Sequence, residues 1–183
     1  MMTEKSRQER ISHLRQHQER KHFLGEFLLS LSQIVGKELT EESVLTLEET
    51  NTVINRIHYR DSQVPTFNFT FPSSQADSFR EIFSCLIPEI TNPKTYFTTS
   101  RIYRSFFLQM NCSFAIPNFE KIIELDTNTF YIFHKDLTNG LWVDYNEENW
   151  SENGKTEYVW TYELRVWGKE WVNKVHTAYN SRT

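Results

Sequence analysis

The chain predicts an α+β fold: N-terminal helices, a mostly antiparallel sheet with a C-terminal three-stranded meander, and a closing C-terminal helix. Three observations carry this expectation. Residues 23–35 repeat apolar side chains at helical spacing, Phe67, Phe69 and Phe71 alternate with polar residues, and Phe130 to Trp167 folds on paper into a meander with a definite register.

Residues 3–35 read as helix in two parts. Glu4 to His22 carries only Ile11 and Leu14 as apolar residues, whereas Phe23, Leu24, Phe27, Leu28, Leu31, Ile34 and Val35 form a stripe that must face a core. Gly36 stands where a C-terminal cap belongs. A second helix is expected across residues 41–58, with Val44, Leu45, Leu47, Val53, Ile54 and Ile57 buried. Thr46 and Glu49 fit a capping box, which moves its start beyond Glu41.

Residues 64–71 then switch to period two, and Pro72 closes that strand. Ser73 or Ser74 is expected to cap a helix bearing Phe79, Ile82, Phe83 and Leu86, with Pro88 ending it. Asn92–Pro93 marks a turn before a short strand at 94–99. Residues 101–113 fit either a helical stripe or a strand, and residues 118–125 are equally open. With no internal repeat and no linker, the expectation is one domain over residues 1–183, residues 1–22 being a solvated helical extension.

The meander is the most specific reading. Asn153–Gly154 is a two-residue hairpin signal, and folding there pairs Glu152 with Lys155, Tyr145 with Tyr162, Val143 with Leu164 and Leu141 with Val166. A second hairpin through residues 135–140 is expected to pair Ile132 with Val143 and Phe130 with Tyr145. Both registers put the same residues on an inner face. Lys169 to Asn180, with Trp171, Val172, Val175 and Tyr179 at helical spacing, should close that face.

The other face then gathers Tyr131, Phe133, Trp142, Asp144, Glu163, Arg165 and Trp167. Trp142 lies across from Arg165, which permits cation–π stacking, and Asp144 lies across from Glu163, a like-charge pair that needs compensation. Either further elements cover this face, with Arg165 satisfying the carboxylates, or it is an exposed aromatic and acidic patch that recognises a partner.

Composition narrows the function classes. Hydrophobic residues make up 38% and aromatic residues 15% of the 183, enough apolar surface for a folded core. The net charge is −4, and residues 119–170 hold 5 Lys or Arg against 11 Asp or Glu, so the acidity resides with the meander. A nucleic-acid binder needs the opposite bias. No apolar run approaches a membrane span, and the polar start lacks the pattern of a secretory signal. Cys85 and Cys112 have neither metal-ligand nor disulfide spacing, which suits a reduced, cytoplasmic address.

Catalytic signatures are weak. Asp144 and Glu163 as cross-strand neighbours approach the ~5 Å separation of a glycosidase pair. Cys112, His134 and Asp136 have the residue types of a cysteine hydrolase without its local motif. Glu9, His13 and His17 share a helix face, which reads better as a solvated face than as a metal site, and Arg7, Arg10, Arg15, Arg20 and Lys21, interleaved with Glu4, Glu9 and Glu19, read as a salt-bridged helix surface. His58 and His176 are isolated in sequence, and His134 is expected at the edge of the core. No glycine-rich phosphate loop, GxSxG or CxxC is present. No cofactor or metal is therefore expected. The reading is a small acidic binding protein of the immunity or inhibitor type, which engages a basic protein partner through the aromatic–acidic sheet face. The alternative is a small enzyme with a pocket lined by the meander and carboxylate acid/base chemistry.

Overall fold

The computed structural model describes residues 4–57, 63–125, 128–152 and 155–181. Helix α1 runs unbroken over Glu4–Val35 and so joins the two parts read from the sequence. It stops at Gly36, whose φ of 72° is the left-handed cap conformation, and the amides of Gly36 and Lys37 close onto the Ser32 carbonyl. The stripe is buried as expected: Leu24, Phe27 and Leu28 are at most 7% exposed and Leu31 is fully covered. Helix α2, Leu47–Arg56, begins at the Thr46–Glu49 capping box.

Strand β1, Thr66–Pro72, leads through a 3-10 turn into α3, Ala76–Phe83. The expected serine cap does not form, because the turn delivers Ala76 already helical and leaves Gln75 as the boundary residue. Nor does Pro88 end the helical stretch. It sits in the first turn of a short α4, Ile87–Ile90, where its missing N–H costs nothing. Strand β2 is Thr95–Thr99. The ambiguous segment resolves into turns over 101–105 and a short strand β3, Leu108–Met110. Residues Phe119–Leu125 form helix α5.

Three strands complete the sheet: β4, Thr129–Phe133; β5, Gly140–Glu152; and β6, Lys155–Trp167. The order is β1-β6-β5-β4-β2-β3, antiparallel at every pairing. The β5–β6 register matches the sequence reading at each rung, from Leu141 opposite Val166 to Glu152 opposite Lys155. The Asn153–Gly154 turn itself lies outside the described residues.

The β4–β5 register differs. Phe130 faces Val143 and Ile132 faces Leu141, two residues from the expected pairing. The face assignment survives, since a shift of two preserves parity. Its cause is a tight loop. The His134 amide bonds the Asn139 carbonyl, and the Asp136 carboxylate accepts from the Thr138 amide and hydroxyl, with Leu137 at φ 65°. Gly140 is therefore strand rather than turn. It is a glycine because the Trp167 indole lies over it: a Cβ there would sit 2.2 Å from Cζ2.

Helix α6, Lys169–Asn180, follows β6 and packs on the inner face with α1, α3 and α5. Tyr179 meets Phe67, Phe69 and Phe71 of β1, with ring centroids 5.5–6.4 Å apart. Phe79 is fully buried among Phe69, Phe83, Phe119 and Tyr162. A second, smaller core lies on the outer face, where Leu45 and Val53 meet Phe107, Phe133, Leu137 and Trp167. Among the described residues, no helix is long and apolar enough to cross a membrane.

Candidate functional site

Sheet pairing sorts the outer face into three rows. The first runs Thr66, Trp167, Gly140, Phe133, Tyr96; the second Asn68, Arg165, Trp142, Tyr131, Thr98; the third Thr70, Glu163, Asp144, Thr129. All seven residues picked out from the sequence do share this face. They do not share one environment.

The first row is closed. Phe133 is fully buried and Trp167 only 2% exposed, because α2 and the 103–107 segment pack over them. Their rings are 5.5 Å apart, and Phe107 and Tyr103 extend the cluster. These two aromatics belong to the second core and offer no solvent-facing contact.

The second row is transitional. Tyr131 and Trp142 are half-buried, edge to face at 6.1 Å. Arg165 is exposed and places its guanidinium 5.0 Å from the Trp142 ring centre, the stacking expected of that rung. The Trp142 indole N–H is buried without a hydrogen-bond partner among the described residues.

The third row is open at its surface and acidic. Asp144 accepts from the Thr129 hydroxyl and from Asn146 Nδ2 at 2.6 Å. Glu163 receives a long bond of 3.4 Å from Asn68 Nδ2. Both carboxylates are thus met by neutral donors. Arg165 makes no ion pair with either among the described residues, so what compensation it gives comes from its nearby charge and not from a bond. Burial first, then the charges of Asp144 and Glu148, hold the Glu163 carboxyl above its ordinary value, with Asn68 and Arg165 opposing. The two adjacent carboxylates are thus without an ion pair among the described residues.

The other candidates come apart or stay structural. His134 Nδ1 lies 2.8 Å from Asp136 Oδ1, and His134 packs edge-on to Trp171 at the core margin. Burial would raise the Asp136 carboxyl, but bonds from His134 and Thr138 prevail and bring it down to about 2. Cys112 is fully buried with Sγ 3.5 Å from the Met110 carbonyl, and burial pushes its thiol up, away from the thiolate a nucleophile needs. His13 and His17 are exposed on α1; the Glu9 side chain and His58 lie outside the described residues. The reading of the α1 charges as mutual salt bridges needs correcting at two positions. Arg20 donates to the Leu45 carbonyl and Glu19 accepts from Ser105, both at 2.5 Å, so these charges anchor the helix to loops.

No group of three His, Cys, Asp or Glu side chains close enough to hold a metal occurs among the described residues. A recess of about 310 Å³ lined by Arg56, Val64, Asp136, Leu137, Thr138 and Trp167 lies beside the closed first row, away from Asp144 and Glu163.

Sequence reasoning paired the β5–β6 hairpin out to Glu152 and Lys155 but missed that its outer part projects beyond the neighbouring strands. Strand β4 ends opposite Asp144 and β1 ends opposite Thr161, so residues 146–152 and 155–160 form a two-stranded ribbon with no further strand beside it among the described residues. Tyr158 is 73% and Trp160 45% exposed there. The signal was available: a hairpin of thirteen residues per strand flanked by much shorter neighbours must project. Comparison with family models, with curated proteins and with solved structures finds no match to this chain.

Proposed function

We propose that this chain is a small, non-enzymatic cytoplasmic binding protein that engages a basic protein partner through the open, acidic end of the outer sheet face. Asp144, Glu163, Trp142 and Arg165 form the contact, and Tyr131 borders it. The observation that carries this reading is the pair of cross-strand carboxylates met only by neutral donors, beside a half-buried tryptophan. Such a surface carries a like-charge cost that a cationic partner relieves. The acidity of residues 119–170 supports the same direction, since an excess of one sign steers association with the opposite sign. A concrete version is an immunity-type inhibitor that neutralises a basic enzyme such as a nuclease toxin.

The test uses the tagged full chain as bait in its source cells, alongside Asp144→Asn/Glu163→Gln. The protein recovered with the wild type is purified and titrated against both baits at low and high salt. The reading predicts a basic partner whose affinity falls at least about tenfold with the double variant, given that paired interfacial charges couple by ~1.5 kcal/mol or more. An acidic partner, or one bound equally by both baits at every salt concentration, refutes it.

A further inference from the structure

The ribbon beyond the sheet repeats one chemical pairing. On one of its faces Glu147 lies directly across from Trp160, and on the other Trp150 lies directly across from Glu157. Glu148 faces Val159 in the next rung. The Trp160 ring continues a stack with Tyr145 and Tyr162, each step 4.9 Å between centroids and 21° and 28° between planes. A lone two-stranded ribbon is only marginally stable in water, and this one holds two tryptophans and an exposed tyrosine outside any core. Among the described residues, neither lysine nor arginine pairs with Glu147, Glu148 or Glu157.

Elsewhere this molecule shows what completes that pairing. Arg80 sits 5.3 Å over the Phe119 ring while bonding Asp77 at 2.5 Å and Glu120 at 2.8 Å. Arg165 stacks on Trp142, and Arg101 lies 4.0 Å from the Phe23 ring centre. A guanidinium suits such a place because its plane stacks on a ring while its edge donates to a carboxylate. An ammonium can do only the second well. The ribbon supplies the ring and the carboxylate, twice, without the guanidinium.

We propose that the ribbon is an arginine-receiving arm, whose Trp160, Tyr158 and Trp150 rings and Glu147 and Glu157 carboxylates take arginine side chains from an arginine-rich protein surface. This rests on the reading that the partner is basic, and adds which element grips it and which cation it selects.

The experiment titrates the full chain with fluorescein-labelled nona-arginine and nona-lysine peptides by anisotropy, with circular dichroism confirming each variant's fold. The wild type is expected to prefer arginine by about fivefold, the sum of one or two exposed cation–π contacts. Trp150→Leu/Tyr158→Leu/Trp160→Leu should abolish the preference, Trp160→Phe should keep most of it, and Glu147→Gln/Glu157→Gln should weaken both peptides. Equal affinity for the two peptides, or a preference that survives loss of all three rings, overturns the proposal. If the preference instead vanishes in Asp144→Asn/Glu163→Gln and not in the ribbon variants, the arm is refuted while the basic-partner reading stands. If neither peptide binds, both fall.

Discussion

The two faces of the sheet are built from the same alternation and end in different states. The inner face is closed along the central strands, with Val143, Leu164, Ile132 and Phe130 all fully buried under four helices. The outer face is closed along one row only. Over about 13 Å of strand, from Trp167 to Glu163, it passes from a closed aromatic cluster to a half-exposed carboxylate pair. Parity therefore decides which face a residue joins, and position along the strand decides whether that face is core or surface.

The sharpest way to break this comparison is to remove a large inner side chain. Phe79→Ala should cost about 3–5 kcal/mol by urea denaturation, because the ring is fully buried among four other aromatics. A loss below about 1 kcal/mol would mean that the inner face is not the main source of stability. The closed row of the outer face comes next. Gly140→Ala forces a methyl into the Trp167 indole and should cost about 1–3 kcal/mol, with much of that loss recovered when Trp167→Leu is added. Additive costs would show that the two positions do not meet.

Helix α2 covers that row, and Thr46 starts it. Thr46→Ala removes the bonds to the Glu49 amide and carboxylate and should cost about 1 kcal/mol. No change would leave the capping box without energetic weight. The smallest effect belongs to the open row and has a definite pH sign. The folded Glu163 carboxyl lies above its unfolded value, so its favourable contribution is complete below the unfolded value and is lost as pH rises through the folded one. At neutral pH the ionised group works against the fold. Glu163→Gln should then raise stability at pH 7 by less than about 1 kcal/mol after solvent screening, with no gain near pH 3. An equal gain at both pH values would point away from the charge.

Much of this was legible in the sequence, and for identifiable reasons. The β5–β6 register followed from one turn signal and apolar pairing, because a slip of one residue would have exposed Leu141, Val143 and Leu164. The α2 cap followed from Thr46 and Glu49. The β4–β5 register was missed by two because Gly140 looks like a turn residue until Trp167 is laid over it, and that contact spans two strands. Likewise the seven outer-face residues were gathered correctly, but nothing local says that α2 returns over Phe133 and Trp167 and leaves Asp144 and Glu163 open. Cover depends on the path of the chain between elements, which periodicity does not encode.

The central claim is that the open row is surface kept for binding rather than core left unfinished. The most direct measurement takes Asp144→Asn/Glu163→Gln and reads two quantities on one preparation: unfolding free energy in urea at pH 7, and affinity for whichever protein is recovered with the wild type. The account predicts stability equal to or slightly above the wild type, with affinity reduced at least about tenfold. A variant that binds as the wild type does, or that loses stability as a core substitution would, contradicts it.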